Sequence, residues 1–437
     1  VYYSQPLSFS VDDNLLAAWE SVRYAPPLGD DQEIFPRFAA AYDKIRLLPR
    51  GARRALQRKL ACSHACGISA AAQRKLAATI AGAALLLALA QASQAATITV
   101  NTNIPKIAAD GKCSLVEAII NANNDALTHA DCLVAGDPGL DTIVLPAASI
   151  HSVTGIFDTV YGSRLPAITS QIVIEGNNAR ILGKKSKPPV RLITVTASGD
   201  LTLDHLTLSG GAQVNGGAIL NTGSLTISNS TITGNIAYSG GGIFNSSGTV
   251  NITEDSTVTN NTAYYGGGLT SYYGIVAVQN SNISGNRAAR GGGVTYHHAT
   301  VTFENSTIAD NDAKLFGGGI QAKFGTNGRI VLNNSTVSAN AARAGGGGML
   351  FEHGLVTITN TTISNNISKK GFFGGGLGSI MATVTIDNST ISGNLGQLGG
   401  GIWNQGFMYI SNSTITANAA KTGGGIFNSL NHLTIKR

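Results

Sequence analysis

Four side chains in the second half of the chain have the types needed for joint acid–base chemistry: His298, Lys323, Glu352 and His353, with His297 beside the first. A carboxylate and an imidazole can exchange protons near neutral pH, and a lysine can act as base or steady a developing negative charge. That is the equipment for cleaving an acidic polysaccharide. Each of these residues follows a run of glycines, so a repetitive fold would line them along one edge over three consecutive repeats. Stacked strands lie about 4.8 Å apart, which puts the rungs of His298 and His353 about 10 Å from each other, too far to share one metal ion. Neither a metal nor a cofactor is expected.

A second set is made for binding rather than bond-breaking. Tyr264, Tyr265, Arg290, Lys314, Phe316, Phe372 and Phe373 stand between a recurring Asn and the glycine run, joined there by Tyr238, Arg287, Arg343, Lys369, Lys370 and Lys421. Aromatic faces pack on sugar rings, and Arg or Lys can pair with uronate or sulfate groups. The remaining acids of the region, Glu254, Asp255, Glu304, Asp310, Asp312 and Asp387, are scattered rather than clustered. This balance favours a rod that holds a polysaccharide or a cell-surface glycan over an enzyme that cuts one.

The elements that must position both sets repeat. The phrase Leu225-Thr226-Ile227-Ser228-Asn229-Ser230-Thr231-Ile232-Thr233-Gly234-Asn235 is followed by a few variable residues and Gly240-Gly241-Gly242-Ile243. Its closing Asn recurs as Asn235, Asn261, Asn286, Asn311, Asn340, Asn366, Asn394 and Asn418, at intervals of 24 to 29 residues. A period of this size with two-residue apolar alternation predicts a parallel β-helix of three short strands per coil. It excludes helical repeats, which would show a 3.6-residue period. The closing Asn residues are expected to form a structural ladder, each amide bonding backbone and the Asn of the next rung. The recurrent Asn-Ser-Thr is also a glycosylation sequon, but its fixed register is assigned to the ladder. Glycine triplets are expected where backbones approach closely or need positive φ, and Val250-Asn251-Ile252, one residue out of phase, suggests a bulge.

Ahead of the repeats, Ser114 and Glu117 form a capping-box pattern for one helix with an apolar stripe at Leu115, Ala118, Ile119 and Ala122, suited to plugging a solenoid end. Further upstream, Arg74-Lys75, an apolar run from Leu76 to Ala90 and small residues at Ser93 and Ala95 read as a signal peptide over residues 73–95. Cys113 and Cys132 are then the only cysteines of an exported chain and are expected to pair. The organisation expected is an extension of doubtful status over 1–72, the signal over 73–95, a cap over 96–139 and the β-helix over 140–437, with its C-terminus truncated. A missing terminal segment would then provide outer-membrane or cell-wall attachment.

Cys113 to Asn123, Cys132 and Asp141-Thr142-Ile143-Val144-Leu145-Pro146 resemble the start of bacterial CSLREA-domain proteins. The Gly-Gly-Gly-Ile phrases with Ile243-Phe244-Asn245 and Ile426-Phe427-Asn428 resemble polymorphic outer-membrane and pectin-lyase-like repeats. The resemblance covers about residues 97–437 and implies an all-β, right-handed, single-stranded parallel β-helix with an N-terminal capping helix, secreted or displayed at the surface. It leaves two functions open, an adhesin-like rod and a polysaccharide lyase or glycoside hydrolase. Val116 stands where that family has Arg.

Composition closes off other classes. The chain has 437 residues with 54 Gly and only 11 Pro, which excludes collagen-like and proline-rich disordered chains. Residues 1–95 carry 11 basic and 7 acidic side chains, so +4 of the net +6 lies there and the repeat body is nearly neutral. A sustained basic field for nucleic acid is not expected.

Overall fold

The computed structural model describes residues 96–134, 139–184, 189–322, 328–371, 373–430 and 432–436. The 1–72 extension, the 73–95 signal segment, Lys323 and Phe372 lie outside the described residues. What is described is a parallel β-solenoid of about 11 turns with almost no helix.

One coil shows how the repeat builds it. Strands run over Ser224–Ser228, Thr231–Thr233, Ile236–Ser239 and Ile243–Ser246. Each pairs in parallel with its counterpart one repeat later: Ser224 lies opposite Thr249, Thr231 opposite Thr257, and Ile243 opposite Leu269. Alternation sends Leu225, Ile227, Ile232 and Ile243 fully inward. Each such side chain contributes roughly 1.5–3 kcal/mol on burial, so every coil adds a similar increment to one continuous core.

The coil has four strands where the sequence predicted three. The variable residues between the closing Asn and the glycine run are not a loop but a short outer strand. In successive coils these strands include Arg287–Arg290, Asp312–Phe316, Ala341–Ala342 and Ile367–Ser368, which form a sheet of their own. In Ile236–Ser239 only the last residue is buried, so backbone pairing rather than an apolar face makes the strand.

Corners are set by left-handed residues. Asn229, Asn280, Asn305, Asn334, Asn360, Asn388 and Asn412 all sit at φ between 45 and 51°. In the exceptional coil both Glu254 (φ 54°) and Asp255 (φ 59°) are left-handed. The additional residue is thus absorbed by this corner. The bulge expected at Val250-Asn251-Ile252 is absent, because Thr249–Thr253 pairs residue for residue with Ser224–Ser228. The next residue of each Asn-Ser-Thr turns inward: Ser306 Oγ accepts from the Ser281 amide at 3.3 Å, and Ser335 Oγ accepts from the Ser306 amide at 3.2 Å.

The closing Asn residues are a separate row, buried throughout from Asn235 to Asn394. Side-chain amide donates to side-chain carbonyl from Asn235 to Asn261, Asn286, Asn311, Asn340, Asn366, Asn394 and Asn418 in turn, at 2.9–3.1 Å. A second, interrupted row lies on the last strand, where Asn221 donates to Asn245 at 2.8 Å and Asn404 to Asn428 at 2.8 Å. Between them that inward column holds Tyr296 and Phe351. Burial pushes the Tyr296 phenol far above its usual range.

At the N-terminal end the helix Leu115–Asn124 carries the capping box: Ser114 Oγ accepts from the Glu117 amide at 3.3 Å, and Glu117 accepts from the Ser114 amide at 2.9 Å. Leu115, Val116, Ala118, Ile119 and Ala122 are buried. Val116 is therefore a fully buried core residue here. Thr97–Thr99 pairs with Leu140–Val144 and is the first rung among the described residues, so the helical segment is inserted between two rungs rather than preceding them. Cys113 and Cys132 form a disulfide spanning 19 residues. Replacing both by Ala should cost about 3 kcal/mol by freeing this loop in the unfolded chain. Thiol labelling of the native, unreduced protein should leave both sulfurs unmodified, and labelling of either would contradict the pairing.

Candidate functional site

The outer strands carry the expected aromatic and basic residues into one column. Immediately before each glycine run, Ser239, Tyr265, Arg290, Phe316, Gly345 and Phe373 occupy successive rungs and bridge in that order. The Arg290 guanidinium lies over the Phe316 ring, 4.9 Å from its centroid. Phe316 and Phe373 are two rungs apart, yet their centroids are 5.9 Å apart because Gly345 leaves the intervening position open. A Cβ on Gly345 would come within 2.6 Å of the Phe373 Cβ. Phe373 continues to Trp403, edge to face at 4.7 Å.

Toward the N-terminal end of this column Tyr238 and Tyr264 stack in parallel at 5.1 Å, with Tyr265 against both edges. Tyr238 is 54% exposed and Tyr264 41%, large rings to leave in water. Outside them Arg287, Lys314, Arg343, Lys369, Lys370 and Lys421 are exposed. Among these, within the described residues, only Lys369 has a carboxylate within 4.0 Å, that of Asp312. Exposed pairs of this kind contribute little, so the edge keeps its positive character.

The acid–base set is distributed differently. His297 lies against Tyr272 at 5.2 Å, and His298, left-handed at φ 52°, stacks on Tyr273 at 5.0 Å with 7° between the planes. His297 and His298 meet edge to face at 4.3 Å. Glu352 is 5% exposed and accepts from the Gln321 side-chain amide at 2.9 Å, while His353 is half-buried. Lys323, between them in the chain, lies outside the described residues. On two rungs of this sheet Thr270 and Thr295 donate their hydroxyls to the carbonyls of Tyr265 and Arg290, at 2.9 and 3.1 Å. Glu352 is thus a buried carboxylate held by a neighbouring coil's Gln321. Among the described residues no three His, Cys, Asp or Glu side chains are placed to hold a metal ion.

Two residues that shape this edge, one in the column and one packed against it, were missed from sequence. Trp403 belongs to Ile402-Trp403-Asn404, the same phrase as Ile243-Phe244-Asn245, and aligning the phrases reveals its place. Gly345 heads a run of four glycines where the other coils have three, and that additional glycine was the signal.

The family described as right handed beta helix region matches residues 191–363. No curated protein matches the chain. Among solved structures, pectate lyase Pel9A is similar at 12% identity over 78% of each chain, with a TM-score of 0.42. In-register parallel coils and the matched region together identify the fold as a right-handed parallel β-helix.

Proposed function

We propose that this β-helix is an exported surface rod that holds a glycan along its aromatic and basic edge without breaking it. The observation carrying this reading is the column of Tyr265, Arg290, Phe316 and Phe373 on one edge, flanked by exposed Tyr238 and Tyr264 and by exposed cations of which, among the described residues, only Lys369 has a carboxylate within 4.0 Å. The exposed Tyr238 and Tyr264 rings offer faces to sugars, and the cations suit acidic substituents. The Cys113–Cys132 disulfide supports export, since such bonds persist in oxidising compartments.

The test pairs a glycan array with a product assay on the same polysaccharides. Retention without new reducing ends or unsaturated uronates is expected. Tyr264→Ala combined with Lys314→Ala should weaken retention about tenfold, a loss of about 1.4 kcal/mol, without changing the circular dichroism spectrum. Product release that stops on Glu352→Gln would establish the enzyme instead, and absence of retention on every glycan would end the binding reading.

A further inference from the structure

We infer that the first corner of the solenoid is a row of N-linked sugar acceptors, distinct from the buried Asn ladder. Asn229, Asn305, Asn334, Asn360, Asn388 and Asn412 each begin Asn-x-Ser/Thr, the acceptor sequence for sugar at the side-chain amide nitrogen. In the structure all six are exposed. The middle residue of each triplet turns inward, and the third, Thr231, Thr307, Thr336, Thr362, Thr390 or Thr414, points outward on the same side as the Asn. The Asn side chain and the Thr hydroxyl thus lie on the same outward face, exposed and at least partly exposed respectively.

Backbone conformation alone does not account for this uniformity. The second left-handed corner of each coil holds Gly234, Asn260, Gly285, Asp310, Ala339, Asn365, Gly393 and Ala417, the mixture that positive φ by itself selects. The first corner is Asn in seven of these eight coils and completes a sequon in six. Five of the six corner amides donate to a surface neighbour: Asn229 to Asp204 and Glu254 at 3.2 and 3.1 Å, Asn334 to Asn305 at 2.6 Å, Asn360 to Asn333 at 3.2 Å, Asn388 to Asn360 at 2.6 Å and Asn412 to Asp387 at 2.9 Å. These contacts are exposed and compete with water, so they contribute little. By contrast Asn245 and Asn366 also begin sequons, yet both are fully buried and their amides are engaged within the stack.

The donor is a sugar activated at C1 by a nucleoside diphosphate. The Asn amide nitrogen forms the bond to C1 and loses a proton, and the nucleoside diphosphate leaves with the electron pair of its bond to C1. Neighbouring corners are one rung apart, about 4.8 Å, which fits single rings side by side better than branched chains.

Peptide mapping by mass spectrometry of the full chain purified from the cells that make it should find hexose-sized increments at the corner asparagines, with occupancy at Asn245 and Asn366 at least tenfold lower. Thr307→Val should remove the increment at Asn305 alone and leave thermal unfolding unchanged. In a second arm, the folded chain made without sugars is given a nucleoside-diphosphate hexose and a transferase specific for Asn-x-Ser/Thr, and the same corners should be modified. Unmodified corners in the native material overturn the inference, including where the second arm succeeds, as do equal occupancies at Asn305 and Asn366.

Discussion

Gly318→Ala is expected to destabilise the solenoid by about 3 kcal/mol or more, while Gly234→Ala costs about 1 kcal/mol. A Cβ at Gly318 would stand 2.2 Å from the Gly347 carbonyl oxygen and 2.5 Å from that of Ala341, and neither backbone atom can swing aside. The same obstruction recurs up the stack: 2.3 Å from Gly241 to the Gly267 oxygen, 2.3 Å from Gly292 to that of Gly318, and 2.4 Å from Gly375 to that of Gly400. Relief would require separating coils that are hydrogen-bonded on every strand. Gly234 isolates the conformational effect, because its φ is +66° and nothing lies within 4 Å of an added Cβ. Ala339 and Ala417 already occupy the equivalent corner at φ 55° and 53°. Urea unfolding followed by circular dichroism should show a large fall in midpoint for the first variant and a small one for the second. Equal falls would mean that left-handed conformation, not close approach of coils, is what the middle glycines serve.

The two roles of glycine show how far the sequence can be read. Period, strand alternation and the closing Asn depend on residues that recur in one register, so coil size, inward face and amide ladder are visible in the letters. The outer strand is not, because Ile236-Ala237-Tyr238-Ser239 has no apolar alternation and pairs through backbone alone. Thr97–Thr99 is too short to register as a strand, which hid the first rung in the cap. The additional residue near Asp255 was legible as a phase slip, but not its location, since a corner and a strand can both absorb it. For the candidate site, ring and cation positions could be placed on one edge from spacing. The contact of Phe316 with Phe373 depends on the absence of a side chain at Gly345. The hydrogen bond to Glu352 comes from a neighbouring coil's Gln321, a partner 31 residues away that no local motif indicates.

Asn311→Ala should cost about 3 kcal/mol or more, against well under 1 kcal/mol for Asn251→Ala on the outward face. The Asn311 side-chain oxygen accepts from the Asn286 backbone amide at 3.0 Å and from the Asn286 side-chain amide at 3.1 Å. Its own amide nitrogen donates to the Ile283 carbonyl at 2.9 Å and to Asn340 at 3.0 Å. Truncation therefore deprives four groups of a partner in a place where Asn286, Asn311 and Asn340 are at most 1% exposed. Each buried group so stranded costs roughly 1–3 kcal/mol, and relaxation around the gap makes the total less than the sum. Asp at this position should not rescue, because a carboxylate cannot donate to the Ile283 carbonyl and would be a buried charge. Asn311→Ser restores one donor and one acceptor at shorter reach and should fall between Asn and Ala. The order Asn, Ser, Ala in unfolding midpoint, with Asp no better than Ala, is what a hydrogen-bonded ladder requires. If Asp matched Asn, the row would be selected for its shape at the corner rather than for its bonds.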